Sequence, residues 1–423
     1  MKTIKNFESF KLPTEVLASL KSIKFNEPTE IQAQTIPHAI EGKDVLATAQ
    51  TGTGKTAAFG IPVATFLINN PEKSVLILSP TRELAVQIHD TMRLFLKNTP
   101  SVLTALLIGG DPMGKQIKAL EGNARFVRHK KEQLNFPRLI VGTPGRVNDH
   151  LLRQTLHLHT TELLVLDEVD RMLDMGFVVQ LDKIATFLPK VRQTLMFSAT
   201  LSKEVNRIAQ NYLTDPVRVN VGSVTSPTEN VTQEVVKLKE EEKYDVLLQK
   251  LAEVKSSAII FVKTKYGTEK LAKRLCGSGI EACAIHGDLR QRSRDRLISQ
   301  FRLEKFNVLV ATDIAARGLD IPHIECVINF DLPPCPEDYI HRIGRTGRAG
   351  AKGHALSFIT SQDFIKWRNI LKLINPQEEL KMERERPARS AKKPFKSHSK
   401  GGPKGAPFQK AAPKKKSAWK NKA

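Results

Sequence analysis

Val45-Leu46-Ala47-Thr48-Ala49-Gln50-Thr51-Gly52-Thr53-Gly54-Lys55-Thr56-Ala57-Ala58-Phe59 decides the reading of this chain. A short apolar strand runs into a glycine-interrupted turn, and the turn opens a helix. That is the context a phosphate-binding loop requires. Glycines let successive backbone N–H groups curl around an oxyanion, and the helix N-terminus adds positive potential. In such a loop Gln50, Thr51, Gly52, Thr53 and Gly54 line the phosphates. Lys55 reaches the β- and γ-phosphates, and the Thr56 hydroxyl ligates Mg²⁺. The general pattern has glycine where this chain has Ala49. The competing reading is a glycine-rich turn with an incidental lysine.

Further along, the apolar run Leu163-Leu164-Val165-Leu166 ends directly in Asp167-Glu168-Val169-Asp170. Carboxylates at the carboxyl end of a buried parallel strand sit where α/β sheets bind ligands. Left uncompensated there they cost several kcal/mol, so a cation is the natural resolution. Asp167 is expected to hold Mg²⁺, and Glu168 to position and deprotonate an attacking water. A solvated acidic turn or helix cap is the alternative. Arginines come from the second half, in His341-Arg342-Ile343-Gly344-Arg345-Thr346-Gly347-Arg348. Three arginines at three-residue spacing can stabilise charge on a transferring phosphoryl group. A basic surface stretch for nucleic acid fits the spacing equally well.

The rest of the chain sets these segments in two series of apolar runs. The first comprises Val45–Ala47, Ser74–Leu78, Leu139–Val141, Leu163–Leu166 and Thr194–Phe197; the second, Ala258–Val262, Val308–Ala311, Val327–Phe330 and Ala355–Ile359. Runs apolar on both faces and separated by helical lengths predict parallel sheets covered by helices. Between the series, residues 221–230 are polar and rich in turn formers, which reads as a linker. The expected organisation is an α/β domain over 1–220, the linker over 221–230, a second α/β domain over 231–375, and a tail over 376–423. Two such domains form a cleft that can open and close.

Composition narrows the partners. The 423 residues carry 66 Lys+Arg against 44 Asp+Glu, a net charge of +22. Residues 381–423 hold fifteen Lys+Arg and two Glu, so the tail alone carries +13 and the other 380 residues +9. A modestly basic body with a strongly basic tail points to a polyanion, most often nucleic acid. The tail is too poor in large apolar residues to pack and is expected to be disordered. Its Phe395, Phe408 and Trp419 suit stacking on unpaired bases. Four cysteines show neither Cys-x-x-Cys pairing nor metal-ligand rhythm. No run of about 18 apolar residues occurs, and the first residues lack the apolar core of a secretory leader. The expectation is a cytoplasmic protein.

Taken in order, these segments resemble the DEAD-box ATP-dependent RNA helicases over roughly residues 7–372. The resemblance implies two tandem RecA-like domains, ATP and Mg²⁺ as cofactors, and RNA as partner. It implies that Phe25 and Gln32, with Phe7, Pro28 and Thr29, form an adenine-recognition motif, Phe25 stacking on the base and Gln32 reading its edge. It makes Arg345 and Arg348 the arginine fingers, His341 a residue bridging the closed cleft, and Gly318 and Asp320 contacts to the nucleotide, Asp320 at its ribose. Asp170 with Ser198 and Thr200 is implied to couple nucleotide state to strand separation through hydroxyl bonds. For RNA it implies Pro80, Thr81, Arg82, Gly109, Gly110, Thr143, Pro144, Gly145 and Arg146 on the first domain, with Gln291, Arg294, Thr312 and Asp313 on the second. Such contacts follow the sugar–phosphate path with little sequence choice.

The wording Asp167-Glu168-Val169-Asp170-Arg171-Met172-Leu173-Asp174-Met175-Gly176-Phe177, with the basic tail, is most similar to the bacterial RhlE-like subgroup. Three departures stand out: Val169 where the family usually has alanine, Lys24 where glycine often precedes the aromatic, and Lys263 where an uncharged polar residue is common. A basic insertion over residues 123–136 separates two RNA motifs. The activity expected is ATP-dependent local unwinding of short RNA duplexes and remodelling of RNA or RNA–protein complexes, with ribosome assembly and mRNA decay as settings. Two rivals remain at this stage: a DNA translocase on the same frame, and a non-catalytic RNA chaperone or annealing clamp acting through the tail.

Overall fold

Strands that are apolar on both faces must lie between two layers of helices. The computed structural model describes residues 6–49, 52–121, 136–221, 230–316, 324–347 and 351–375, and among these it contains two sheets. The first comprises β1 (Val45–Ala49), β2 (Ser74–Leu78), β3 (Thr104–Leu107), β4 (Leu139–Gly142), β5 (Thr161–Leu166), β6 (Gln193–Ser198) and β7 (Val217–Val221), in the order β3-β4-β2-β5-β6-β1-β7. The second comprises β8 (Val231–Lys237), β9 (Ser257–Phe261), β10 (Ala282–Ile285), β11 (Val308–Ala311), β12 (Ile324–Asn329) and β13 (Gly353–Ile359), in the order β10-β11-β9-β12-β13-β8. Every neighbouring pair is parallel.

The period-two alternation of a strand sends its side chains into two cores. In β2, Val75 and Ile77 join one apolar cluster while Leu76 and Leu78 join the cluster on the other face. In β9, Ala258 and Ile260 go one way, and Ile259 and Phe261 the other. Both sheets belong to one compact unit, Met1–Glu379. Among the described residues no helix is long and apolar enough to cross a membrane.

All nine expected strands are present. The four additional ones, β3, β7, β8 and β10, are the edges of the two sheets. An edge strand has one neighbour and a partly wetted face, so its residues alternate or mix in burial. Residues 123–135 of the 123–136 insertion and the tail beyond residue 375 lie outside the described residues, as does the interior of the linker. Val221 closes β7 and Asn230 immediately precedes β8.

Two of the departures gain a physical account. Val169 is fully buried in the cluster of Leu166 and Met172, so its two extra methyl groups fill core space. Lys24 follows the helix Thr14–Ser22 with φ at +57°, a left-handed conformation that glycine adopts without a Cβ penalty. Lys24→Gly is expected to stabilise the first lobe by about 0.5 kcal/mol, the relief of left-handed strain exceeding the entropy glycine adds to the unfolded chain. Urea unfolding followed by circular dichroism measures it; a lowered midpoint contradicts the account.

Candidate functional site

In a parallel sheet, the residues that follow the strands gather along one edge. In the first sheet the turns after β3, β4 and β2 carry Gly109–Gly110, Thr143–Arg146 and Pro80–Arg82. Those after β5, β6 and β1 carry Asp167–Asp170, Ala199–Thr200 and Gly52–Thr56. Strand order therefore separates the candidate RNA residues from the candidate nucleotide residues, although in the chain the RNA turns fall between the phosphate loop and the acidic turn. The second sheet repeats the division. Gln291, Arg294, Thr312 and Asp313 follow β10 and β11, whereas His341 and Arg345 come with the helix after β12, Pro336–Ile343.

At the phosphate loop, Gly52 and Gly54 take φ values of +87° and +96°, and Gly54 starts the helix Lys55–Asn69. Lys55 is buried and its Nζ donates to the carbonyl of Ala49 at 2.9 Å. Thr29 Oγ1 donates to Thr53 O at 2.8 Å. Gln32 is wholly buried; its Oε1 accepts from Thr29 N–H at 3.0 Å and its Nε2 donates to Gly54 O at 3.0 Å. The amide that sequence reading assigned to a base edge is thus engaged at both ends, and it ties the motif to the loop. A Cβ on Gly54 would lie 2.4 Å from Gln32 Nε2. Phe25 is half-buried and stacks on the buried Phe7, ring centroids 5.3 Å apart. Gln50 and Thr51 lie outside the described residues.

The acidic segment is held by its own backbone. Glu168 has φ +52° and ψ +55°, and its N–H donates to Asp167 Oδ1 at 3.0 Å. Burial, with the charge of Glu168 beside it, raises the Asp167 carboxyl to about 7. Burial alone would raise Glu168 too, but Arg171, Lys55 and Arg345 outweigh it and hold that carboxyl below the ordinary glutamate range. Arg171, three residues on and buried, forms an ion pair with Glu168. Sequence reading gave it no role, although its i,i+3 spacing on a helix was the available signal. A buried aspartate whose charge is so poorly compensated suits a divalent cation, and the half-buried Thr56 sits at the start of the neighbouring helix. The residues fit Mg²⁺.

Asp170 Oδ2 accepts three bonds from the turn after β6: Ala199 N–H and Thr200 N–H at 3.0 Å, and the Thr200 hydroxyl at 3.3 Å. The Ser198 hydroxyl turns instead to Thr200 O at 2.8 Å, so two backbone donors take the place expected of a second hydroxyl.

From the second lobe, His341 and Arg345 line a crevice with Arg171 of the first lobe, beside Phe261 and Asp313. Burial drives His341 down to about 4, so it is neutral at pH 7. Arg345 is buried and its Nε donates to His341 O at 3.1 Å. Arg342, the first of the three spaced arginines, has a different task. It grips Asp313 at 2.5 and 2.7 Å, donates to Asn329 Oδ1 and Asp331 O, and lies over the Phe261 ring. A guanidinium committed to that many partners is a strut between β11, β12 and the helix after β12. Asp313 is correspondingly occupied. Arg348, Gly318 and Asp320 lie outside the described residues.

Three candidate RNA threonines begin helices: Thr81 before Arg82–Phe95, Thr143 before Pro144–Leu152 and Thr312 before Asp313–Ala316. Helix starts offer backbone N–H groups to phosphates. Gln291 and Arg294 reach across to Glu83 of the first lobe, each at 3.3 Å, so the two lobes meet there as well as at the crevice.

A family model described as DEAD/DEAH box helicase matches residues 29–208, and one described as helicase conserved C-terminal domain matches 239–350. The chain is 43% identical to the DEAD-box ATP-dependent RNA helicase CshA of Bacillus cereus, over 86% of this chain and 67% of that protein. Among solved structures it is similar to Dbp5 of S. cerevisiae bound to RNA and ADP BeF3, with TM-score 0.77, 33% identity, and 88% and 94% of the two chains covered. It is also similar to Mss116p bound to ssRNA and AMP-PNP, with TM-score 0.77, 28% identity, and 90% and 82% covered. The two parallel-sheet lobes are RecA-like, and the chain belongs to the DEAD-box branch of the DEAD/DEAH box helicases.

Proposed function

We infer that the chain is an ATP-dependent RNA helicase that locally unwinds short RNA duplexes and remodels RNA or RNA–protein complexes. The observation that carries the mechanism is the convergence at the crevice. His341 and Arg345 of the second lobe face Arg171, and the Arg345 charge acts on Glu168 of the first. Gly52, Thr53, Gly54 and Lys55, with Gln50 and Thr51, bind the phosphates through backbone N–H groups and the lysine ammonium. Phe25 and Gln32 set the adenine side of the site. Thr56 and Asp167 would hold Mg²⁺, which supplies charge neutralisation on the triphosphate when bound. Glu168, ionised at neutral pH, takes a proton from water as the water oxygen bonds to the γ-phosphorus. The bond to the β–γ bridging oxygen breaks, leaving ADP and phosphate. Arg345 and Arg348 stabilise the charge that develops, and His341 links them to the first lobe. Gly318 and Asp320 complete the nucleotide contacts.

RNA lies along the other half of the same edge, on Pro80, Thr81, Arg82, Gly109, Gly110 and Thr143–Arg146, continuing onto Gln291, Arg294, Thr312 and Asp313. ATP and RNA each favour closure through contacts made only in the closed form, a population shift that hydrolysis resets. Asp170 with Ser198 and Thr200 ties the acidic turn to the end of β6 and carries that coupling. The division at 1–220, 221–230, 231–375 and 376–423 places one hinge between the lobes and a basic tether after them. The RhlE-like wording of residues 167–177, work in ribosome assembly or mRNA decay, and a cytoplasmic setting belong to the same reading.

Steady-state ATP hydrolysis titrated with an RNA oligonucleotide and with DNA of identical sequence tests it. Saturable stimulation by RNA alone is expected, and equal stimulation by DNA turns the reading to a DNA translocase. Deleting residues 381–423 should weaken unwinding and make it more salt-sensitive; loss of all activity would favour the annealing clamp.

A further inference from the structure

Three strand-to-helix turns carry the first lobe's candidate RNA contacts, and one acidic residue joins them, by its side chain to one and by its backbone carbonyl to another. Asp111 follows the glycine pair in Gly109-Gly110-Asp111. Its Oδ1 pairs with Arg82 Nη2 at 3.1 Å, and its backbone carbonyl accepts from Arg146 Nη1 at 2.9 Å. Two arginines from two different turns are thereby fixed to a third. Arg82 lies across Gly110: a Cβ there would come within 1.8 Å of its Nη1, and Gly110 has φ +80°. Glycine is needed at 110 both for its backbone angle and for the guanidinium packed on it.

The state of Arg82 points onward. A guanidinium has five N–H donors in a rigid fork. Asp111 takes one nitrogen, while Nε and Nη1 are buried and hydrogen-bond to nothing among the described residues. Buried, charged donors without acceptors are costly, and an anion brought to this guanidinium would relieve that cost. Two cations held close together repel one another, and a carboxylate beside them lowers that cost before any ligand arrives. Asp111 itself is more than a third exposed, so its own burial does not explain it as a core residue.

We propose that Asp111 is a positioning residue of the RNA-binding face: it fixes the Arg82 guanidinium, in register with Arg146, for contact with RNA phosphates. The backbone carbonyl holds Arg146 whatever the side chain, so substitutions at 111 report on Arg82 alone. Pre-organisation of this kind lowers the cost of binding without adding a contact to the ligand. The inference rests on the reading of Arg82 as an RNA contact, and the experiment separates the two.

The proteins needed are the full chain and its Asp111→Ala, Asp111→Asn, Arg82→Ala and Asp111→Ala/Arg82→Ala variants, with KM for a single-stranded oligoribonucleotide and kcat at saturating RNA as readouts. Asp111→Ala is expected to raise the RNA KM about tenfold with kcat little changed, and Asp111→Asn, which keeps an acceptor oxygen, to recover most of that loss. Adding Asp111→Ala to Arg82→Ala should change nothing further, because the acid acts through the arginine. A lowered KM in Asp111→Ala would show the carboxylate competing with phosphate and would overturn the proposal. Additive effects in the double variant, an unchanged KM in Asp111→Ala, or an asparagine no better than alanine overturn it too. An unchanged KM in Arg82→Ala instead removes Arg82 from the RNA face and takes the wider reading of that turn with it.

Discussion

Arg345→Ala lowers kcat for RNA-stimulated ATP hydrolysis by about 10³-fold or more, with a much smaller change in KM for ATP. The expectation follows from where the residue is held. Arg345 is buried in the crevice between the lobes, its Nε is anchored on His341 O, and its charge is felt by Glu168 across the seam. A cation placed there acts on charge that exists only as the phosphoryl group transfers, so its loss appears in kcat rather than in ground-state binding. A factor of 10³ corresponds to about 4 kcal/mol of transition-state stabilisation. Arg345→Lys should recover little, because a point charge on a flexible stem does not reproduce the fork. Rapid-quench single turnovers at saturating ATP and RNA make the measurement. A rate within tenfold of the unmodified protein removes Arg345 from the reacting phosphate.

Glu168→Gln is the second large effect: a fall in turnover of about 10²–10⁴-fold, the usual range for loss of a general base. The substitution spares the structure. Glutamine adopts the left-handed backbone of Glu168 at a similar cost, and its carbonyl oxygen remains available to the buried Arg171. What it cannot do is accept the proton of the attacking water. Nucleotide and RNA still bring the lobes together, so the variant should accumulate as a long-lived complex with both. RNA dissociation after a chase with unlabelled oligonucleotide reads this directly. Ordinary multiple turnover in Glu168→Gln would take the residue out of the base role.

Much of this site could be read locally. The phosphate loop announces itself by glycine spacing after an apolar strand, and the acids by standing where another such strand ends. Partner choice was the part that could not be read. Gln32 offers the same amide whether it faces a base or, as here, Thr29 and Gly54. Arg342 is indistinguishable from Arg345 by spacing, yet it is spent on Asp313, 29 residues away in sequence. Glu83 is tied to Gln291 across 208 residues. Nothing local encodes such pairs, because they depend on which turns the two sheets bring side by side.

What the sequence by itself determined was the set of interior strands, marked by runs such as Val45–Ala47 and Ser74–Leu78, since burial on both faces favours apolar residues at successive positions. The edge strands β3, β7, β8 and β10 were decided only in three dimensions, because one solvated side relaxes that preference. The tertiary structure also sorted the chemistry. Parallel pairing in the order β3-β4-β2-β5-β6-β1-β7 puts Gly109, Thr143 and Arg82 on one half of the edge and Asp167, Thr200 and Lys55 on the other. Chain order sets the three RNA residues between Lys55 and Asp167, splitting the nucleotide set; hydrogen-bonded strand order, set by how the apolar faces pack, is what separates a nucleotide half from an RNA half.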